Sequence, residues 1–206
     1  LALAGIGAIT VNDFDRIDAS NLARQSLYRS SDIGQPKTLV AQRALRQLRP
    51  ALPITAIDAR LTDSQLKEVA TRAAVILDCT DNFISRFAIN QAAVAAGTPL
   101  VSGSAIRWEG QVAVFGPDYA SGPCYECLYS IDDESLEDCA GAGVLASVPA
   151  IIGHMMATEA IKCITGAGSA SALSLYDAHD GRWQQVQIAQ RSDCSMCGPT
   201  VKEHNL

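Results

Sequence analysis

The first hundred residues alternate short apolar runs with longer amphipathic stretches. The apolar runs predict buried strands, because continuous apolar segments suit a sheet that is covered on both faces; they are residues 8–13, 54–59, 74–78 and 100–103. The stretches between them predict helices at 37–48, 63–72 and from Asp81 or Asn82 to about 96. This order predicts an α/β fold with a Rossmann-like, mostly parallel sheet flanked by helices.

The pattern changes after residue 103. Short β-rich runs predict further strands at 111–115, 173–176 and 183–189, and a strongly apolar stretch predicts a helix over 151–165. Apolar and polar residues alternate over 183–189, which is typical of a half-buried antiparallel strand. Residues 118–142 show no regular period and predict a long loop, a feature that is usually functional in a compact domain.

Composition limits the possible classes of protein. The chain has 206 residues, of which 48% are hydrophobic and 18% charged, enough apolar mass for a core and a length that favours a single domain over 1–206. The formal net charge of −6 argues against a protein that coats nucleic acid or an anionic membrane. No apolar run is long enough to predict a membrane span.

The cysteines point to a metal site. Cys124-x-x-Cys127 and Cys194-x-x-Cys197 form two matched pairs among seven cysteines, and no secretory signal precedes them. An odd cysteine count without such a signal disfavours a disulfide framework and favours a reducing, cytoplasmic compartment. Four thiolates would close the tetrahedral shell of a structural zinc ion. Iron with the same ligands, or two redox dithiols, are the alternatives.

Polar residues at predicted strand ends are candidates for nucleotide binding. Asp13 follows the first strand, where an acid can bind ribose hydroxyls or can be an ordinary turn carboxylate. Arg24 and Lys37 could hold a polyphosphate or could lie on a solvated helix face. Asp81, after the strand that ends at Asp78, could bind magnesium beside phosphates or could simply cap the following helix.

Cys139 lies in a glycine-flanked part of the long loop, outside the two cysteine pairs. A mobile cysteine suits a nucleophile that must reach a bound acyl group. The neighbouring Glu137 and Asp138 would raise the pKa of this thiol and lower its basal reactivity.

Taken together, these segments resemble the bacterial MoeB/ThiF adenylyltransferases, which are related to ubiquitin-activating enzymes. The resemblance runs from residue 1 to about 200 and rests on five linked motifs in family order. They are Asp13-Phe14-Asp15, Ser20-Asn21-Leu22-x-Arg24-Gln25, Gly34-Gln35-Pro36-Lys37, Leu77-Asp78-Cys79-Thr80-Asp81-Asn82 and the paired C-x-x-C.

The resemblance implies an activity and its site residues. It implies adenylylation, with ATP and magnesium, of the C-terminal glycine of a ubiquitin-like sulfur carrier (MoaD-like or ThiS-like), for molybdopterin or thiamine biosynthesis. Asp13 would hold the ribose; Ser20 and Asn21 would line the nucleotide site, and Arg24 and Lys37 would face the phosphates. Asp81 would bind magnesium beside Asn82, Cys139 would accept the carrier, and Cys124, Cys127, Cys194 and Cys197 would bind zinc. A homodimer in the cytoplasm, without nucleic acid or membrane as partner, is also expected.

One departure keeps other functions open. In the family, a first strand and a glycine-rich turn precede the segment that corresponds to Leu1, and neither is present in this sequence. A non-catalytic or nicotinamide-binding Rossmann-type protein with a structural zinc is therefore the main alternative. A relative that activates a small molecule or a tRNA base is another.

Overall fold

The computed structural model describes residues 1–130, 143–168 and 171–198 of the chain. These residues form two compact units, residues 1–62 and the chain from Asp63 onward. Each unit is described by itself below.

The first unit is a strand–helix–strand motif. Strands β1 (Ile9–Asn12) and β2 (Ile54–Ile57) pair in parallel, and helix α1 (Lys37–Leu48) connects them. Pro36 is the N-cap residue of the helix and has an extended backbone, and Lys37 is the first helical residue. The long connection before the helix contains two short 3-10 turns, Ala19–Ala23 and Ser30–Asp32.

The second unit is a five-stranded sheet with helices. The strands are β3 (Ile76–Asp78), β4 (Leu100–Ile106), β5 (Glu109–Phe115), β6 (Ala172–Asp177) and β7 (Arg182–Gln187), in that order across the sheet. Only the pair β3–β4 is parallel, and the later pairs are antiparallel. The helices are α2 (Asp63–Arg72), α3 (Phe83–Ala96), α4 (Tyr125–Leu128) and α5 (Ser147–Thr165).

Two apolar clusters form the core of the second unit. One places Val148, Ile152 and Met156 of α5 against Val101 and Val112 of the sheet. The other gathers Phe115, Tyr125 and the four paired cysteines, with α3 packed against it. Glycine permits the close approach of α5 to the sheet, because a Cβ at Gly110 would lie 2.4 Å from Cγ1 of Ile152.

The sequence predictions agree closely with these elements. The α/β fold with parallel and antiparallel strands is confirmed, and α1 and α2 have the predicted bounds. The predicted parallel pairs lie in separate sheets, β1–β2 and β3–β4. One expectation is wrong: all six residues of β7 are exposed, although their alternation predicted one buried face. The strand lies at the edge of the sheet, where nothing in the described residues covers it.

Among the described residues, no helix combines the length and the apolar character needed to cross a bilayer.

Candidate metal and nucleotide sites

The two cysteine pairs converge on one buried cluster. All four side chains are buried, and their Sγ atoms lie within 4.8 Å of one another. The Sγ atoms of Cys124 and Cys194 are 3.7 Å apart, and those of Cys127 and Cys197 are 3.4 Å apart. A tetrahedral zinc ion with Zn–S bonds of about 2.3 Å needs sulfur–sulfur distances of roughly 3.8 Å. The cluster is therefore consistent with zinc, and the expected convergence of the four thiols is confirmed.

Side chains around the cluster join its two halves. Glu126, buried between the first two cysteines, accepts hydrogen bonds from Ser195 Oγ at 2.8 Å and from Asn90 Nδ2 at 3.4 Å. The amide of Arg191 donates to Cys127 Sγ at 3.4 Å. Gly198 permits the second turn, since a Cβ there would lie 2.5 Å from the Cys194 carbonyl oxygen.

The pKa values of the cluster thiols differ, and Cys127 is the one whose thiolate form is favoured. Hydrogen bonds from the Cys124 thiol and from the Arg191 amide lower the pKa of Cys127 to about 4. The bond donated to Cys127, together with burial, raises the pKa of Cys124. Burial also raises the pKa of Cys197 to about 11. A bound cation would stabilise the thiolate form of every member, which is the usual state of a zinc ligand.

The first unit brings Asp13 and Lys37 together. Lys37 Nζ lies 3.7 Å from a carboxylate oxygen of Asp13 and 2.8 Å from one of Asp15, and the lysine side chain is only 11% exposed. The amide of Asp15 donates to Asp13 Oδ1 at 2.8 Å, so a tight turn holds both acids at the end of β1. One ammonium group is thus paired with two carboxylates at the end of β1.

Two neighbours of this cluster were not predicted from the sequence. Burial, and then the Asp13 carboxylate, raise the pKa of Tyr28 to about 12. Arg60, which follows β2, lies over the ring of Phe14 at 4.2 Å from its centroid. Asn12 joins the ends of the two strands by donating to the carbonyl oxygens of Ile57 and Ala59. Only strand pairing reveals that Phe14 and Arg60 meet, because 45 positions separate them in the sequence.

The 3-10 turn Ala19–Ala23 carries the other predicted nucleotide residues. Asn21 Oδ1 accepts from the amide of Asp18, whose own carboxylate accepts from the Ser20 amide and so completes a capping box. Arg24 Nη1 donates to the Ser20 carbonyl at 3.0 Å. The structure thus places Ser20 and Asn21 on this turn and Arg24 at its C-terminal cap.

In the second unit, Asp81 lies in an ordered loop between β3 and α3. Asn82, not Asp81, caps the helix, because its Oδ1 accepts from the Ser85 amide at 2.9 Å. The buried carboxylate of Asp78 accepts from the amide and the hydroxyl of Thr80 at 3.0 and 2.7 Å, and from Ser102 Oγ at 2.9 Å. Asp81 itself is exposed. A role as helix cap therefore does not account for this residue.

A groove of about 750 Å³ is lined by residues of α3, of four strands of the sheet and of the segment after α4. Phe83 and Arg86 of α3 and Trp183 of β7 are among the residues that line it. The remaining lining residues come from β4, β5, β6, β7 and the segment after α4: Ser104, Ile106, Glu109, Gly110, Gln111, Tyr129, Leu175, Tyr176, Asp177, Arg182 and Gln184. The lining combines aromatic rings with charges of both signs. Cys139, the remaining predicted site residue, lies outside the described residues.

Comparison with known proteins identifies the class. The sequence is 41% identical over 199 residues to the sulfur carrier protein ThiS adenylyltransferase of Escherichia coli, covering 96% of this chain and 79% of that protein. It is 40% identical over 201 residues to the molybdopterin-synthase adenylyltransferase of the same organism, covering 96% of this chain and 80% of that protein. The pig adenylyltransferase and sulfurtransferase MOCS3 is 39% identical, and the chain covers 46% of it.

The ThiF family pattern matches residues 1–196, and the chain belongs to that family. The resemblance to the MoeB/ThiF adenylyltransferases is thereby confirmed. The fold is also that of E. coli MccB, solved with ATP, at a TM-score of 0.79 and 22% identity. The matched region covers 96% of this chain but only 61% of the MccB chain.

Proposed function

We propose that this protein adenylylates the C-terminal carboxylate of a small ubiquitin-like sulfur carrier. A carboxylate oxygen attacks the α-phosphorus of ATP, the bond from that phosphorus to the pyrophosphate oxygen breaks, and an acyl-adenylate and pyrophosphate form. The attacking carboxylate is already ionised, so the protein needs to supply only position and positive charge. Identities of about 40% to two carrier-activating enzymes support this reaction over nicotinamide chemistry.

The site residues take the following roles in this proposal. In the first unit, Asp13 binds the ribose hydroxyls, Ser20 and Asn21 line the nucleotide site, and Arg24 and Lys37 stabilise the phosphates. In the second unit, Asp81 binds magnesium and Asn82 holds Asp81 by a long contact of 3.4 Å. The whole chain, residues 1–206, acts as a single adenylyltransferase domain.

The groove of the second unit carries this proposal. Phe83, two residues after Asp81, is among the residues that line it. A carrier tail that lay along it would bring its terminal carboxylate toward the Asp81 loop.

The proposed magnesium role is tested by Asp81→Asn, which removes the charge and keeps the shape. We expect carrier-dependent ATP–pyrophosphate exchange, with ThiS as the first probe, to fall by about 100-fold or more. The melting temperature should stay unchanged because the side chain is exposed. Asp63→Asn, an exposed acid in the first turn of α2, is the matched control. Equal exchange by the two variants would refute the role, and no exchange by the unmodified protein would refute the reaction.

The proposed acyl-acceptor role of Cys139 concerns a later step. The thiolate would attack the acyl-adenylate, form a thioester and release AMP. Cys139→Ser should keep pyrophosphate exchange near the level of the unmodified protein and lose a thiol-sensitive adduct with the carrier. A variant that loses exchange itself would contradict this division of steps.

Zinc, a homodimer and a cytoplasmic location complete the proposal. The buried four-thiol cluster supports a structural metal, which would supply no chemistry to the reaction. Elemental analysis and light scattering test the metal and the dimer.

A further inference from the structure

Arg86 lies at a junction between the Asp81 loop and the cysteine cluster. This residue of α3 is only 4% exposed. Its Nη2 and Nε atoms donate to the carbonyl oxygen of Thr80, the residue before Asp81, at 2.7 and 3.2 Å. Its Nη1 donates to the hydroxyl oxygen of Tyr125 at 3.3 Å.

Tyr125 belongs to the turn that joins the first two cysteines. The residue directly follows Cys124, is 1% exposed, and packs edge-on against Phe87 and Phe115. Its amide donates to Oδ1 of Asn90 at 2.9 Å, and Asn90 lies one helical turn after Arg86. Helix α3 therefore holds the cysteine turn at two successive polar positions.

The backbone on both sides of Asp81 is held. Asp78 fixes the amide of Thr80, Arg86 fixes the carbonyl of Thr80, and Asn82 caps α3. The carboxylate of Asp81 is exposed between these anchors. A planar guanidinium can serve the carbonyl and the tyrosine hydroxyl at once, which a lysine ammonium at the end of a flexible stem cannot reproduce.

We propose that Arg86 is a positioning residue that couples the cysteine cluster to the Asp81 loop through Tyr125. The coupling sets where the Asp81 carboxylate stands and thereby the magnesium requirement of the reaction. This inference rests on the proposed function for its kinetic consequence, but its structural part concerns only residues 78–90 and the turn at Tyr125.

Tyr125→Phe is the decisive variant, because Arg86 itself also lines the groove whereas Tyr125 neither lines it nor belongs to the cysteine set. Tyr119→Phe is the matched control. Tyr119 lies in the same apolar cluster but donates its buried hydrogen bond to the Thr98 carbonyl, at 2.9 Å, after the end of α3 and not in the Asp81 loop. Both variants lose one hydroxyl, so similar decreases in melting temperature are expected.

The first measurement is the magnesium dependence of pyrophosphate exchange at saturating ATP and ThiS. We expect half-saturation to rise about fivefold in Tyr125→Phe, with little change in the maximal rate, and to stay unchanged in Tyr119→Phe. A merely structural loss would affect both variants alike. Equal magnesium requirements in the two variants would overturn the inference.

The second measurement is amide hydrogen exchange of residues 79–82, which needs no activity. Faster exchange in Tyr125→Phe and in Arg86→Lys than in Tyr119→Phe supports the coupling, and equal exchange in all three refutes it. If the unmodified protein shows no pyrophosphate exchange, the proposed function fails while this measurement still decides the inference.

Discussion

At the scale of residues, side chains of the same type differ in burial and in their charged neighbours. The four paired cysteines are buried and near one another, whereas Cys79 is exposed and Cys163 is half-buried against another cluster. The side chain of Lys37 is nearly buried beside two acids, whereas Lys67 on α2 is exposed. These differences supply matched controls for the predictions at this scale.

Removing one cysteine of the cluster should remove the metal. We expect about one zinc per unmodified chain, and Cys194→Ala to abolish it and lower the free energy of unfolding by more than about 3 kcal/mol, because metal binding contributes to folding. Cys163→Ala should retain the metal and cost only about 1 kcal/mol. Elemental analysis and urea unfolding measure both effects. Full metal content in Cys194→Ala would contradict the four-cysteine site.

Lys37→Met tests the phosphate role. Pyrophosphate exchange should fall by about 100-fold, since a cation beside the transferred phosphates is lost. Stability should change by less than about 1 kcal/mol, because the Asp15 partner is half exposed and such pairs contribute little. Lys67→Met is the control, and steady-state kinetics with thermal unfolding compare the two. Normal exchange in Lys37→Met would exclude the role.

At the scale of elements, α5 and the sheet depend on small residues at their contact. Gly103 lies under Met156 and Gly110 lies under Ile152, and neither site has room for a Cβ. By contrast, Gly153 of α5 has no atom within 4 Å of its hypothetical Cβ. The same substitution at two glycines should therefore have opposite effects.

Gly110→Ala should lower the free energy of unfolding by about 1–3 kcal/mol, because the added methyl group would force buried Ile152 to move. Gly153→Ala should raise it by up to about 1 kcal/mol, since alanine is the better helix former. Chemical unfolding of both variants provides the measurement. A stabilising Gly110→Ala would show that α5 does not pack as described.

At the scale of the whole molecule, buried tyrosines limit stability in alkali. Burial raises the pKa of Tyr28 and of Tyr125 to about 12, and burial also raises the pKa of Tyr119. Unfolded tyrosine loses its proton near pH 10, so above that pH the unfolded state binds fewer protons than the folded state. Stability is therefore complete below about pH 10 and falls as the pH rises toward 12.

Urea unfolding between pH 9 and about 12, with tyrosinate absorbance as a second readout, checks this expectation. The urea concentration at the unfolding midpoint should decline over that range. The decline should be steepest between about pH 10 and 12, where tyrosines are ionised in the unfolded state and still protonated in the folded state. Tyr28→Phe should reduce the decline. A midpoint that stays constant to pH 12 would contradict the raised pKa values.

The sequence by itself determined the order of elements and the four-cysteine cluster. Apolar spacing between Pro36 and Pro50 predicted the bounds of α1, and the capping-box pattern of Thr62 and Gln65 predicted the start of α2. Matched C-x-x-C pairs predicted the cluster because two thiols on one tight turn already have the required spacing. The family also followed from linked motifs, although the roles of Asp13, Arg24, Lys37 and Asp81 stay predictions.

Only the tertiary structure decided which distant residues meet. Strand pairing places Arg60 on Phe14, and helix packing places Arg86 between Thr80 and Tyr125, contacts that no local pattern encodes. The exposure of β7 likewise depended on its position at the sheet edge, not on its alternation. Periodicity reports which face of a segment is apolar, whereas burial depends on what else packs there.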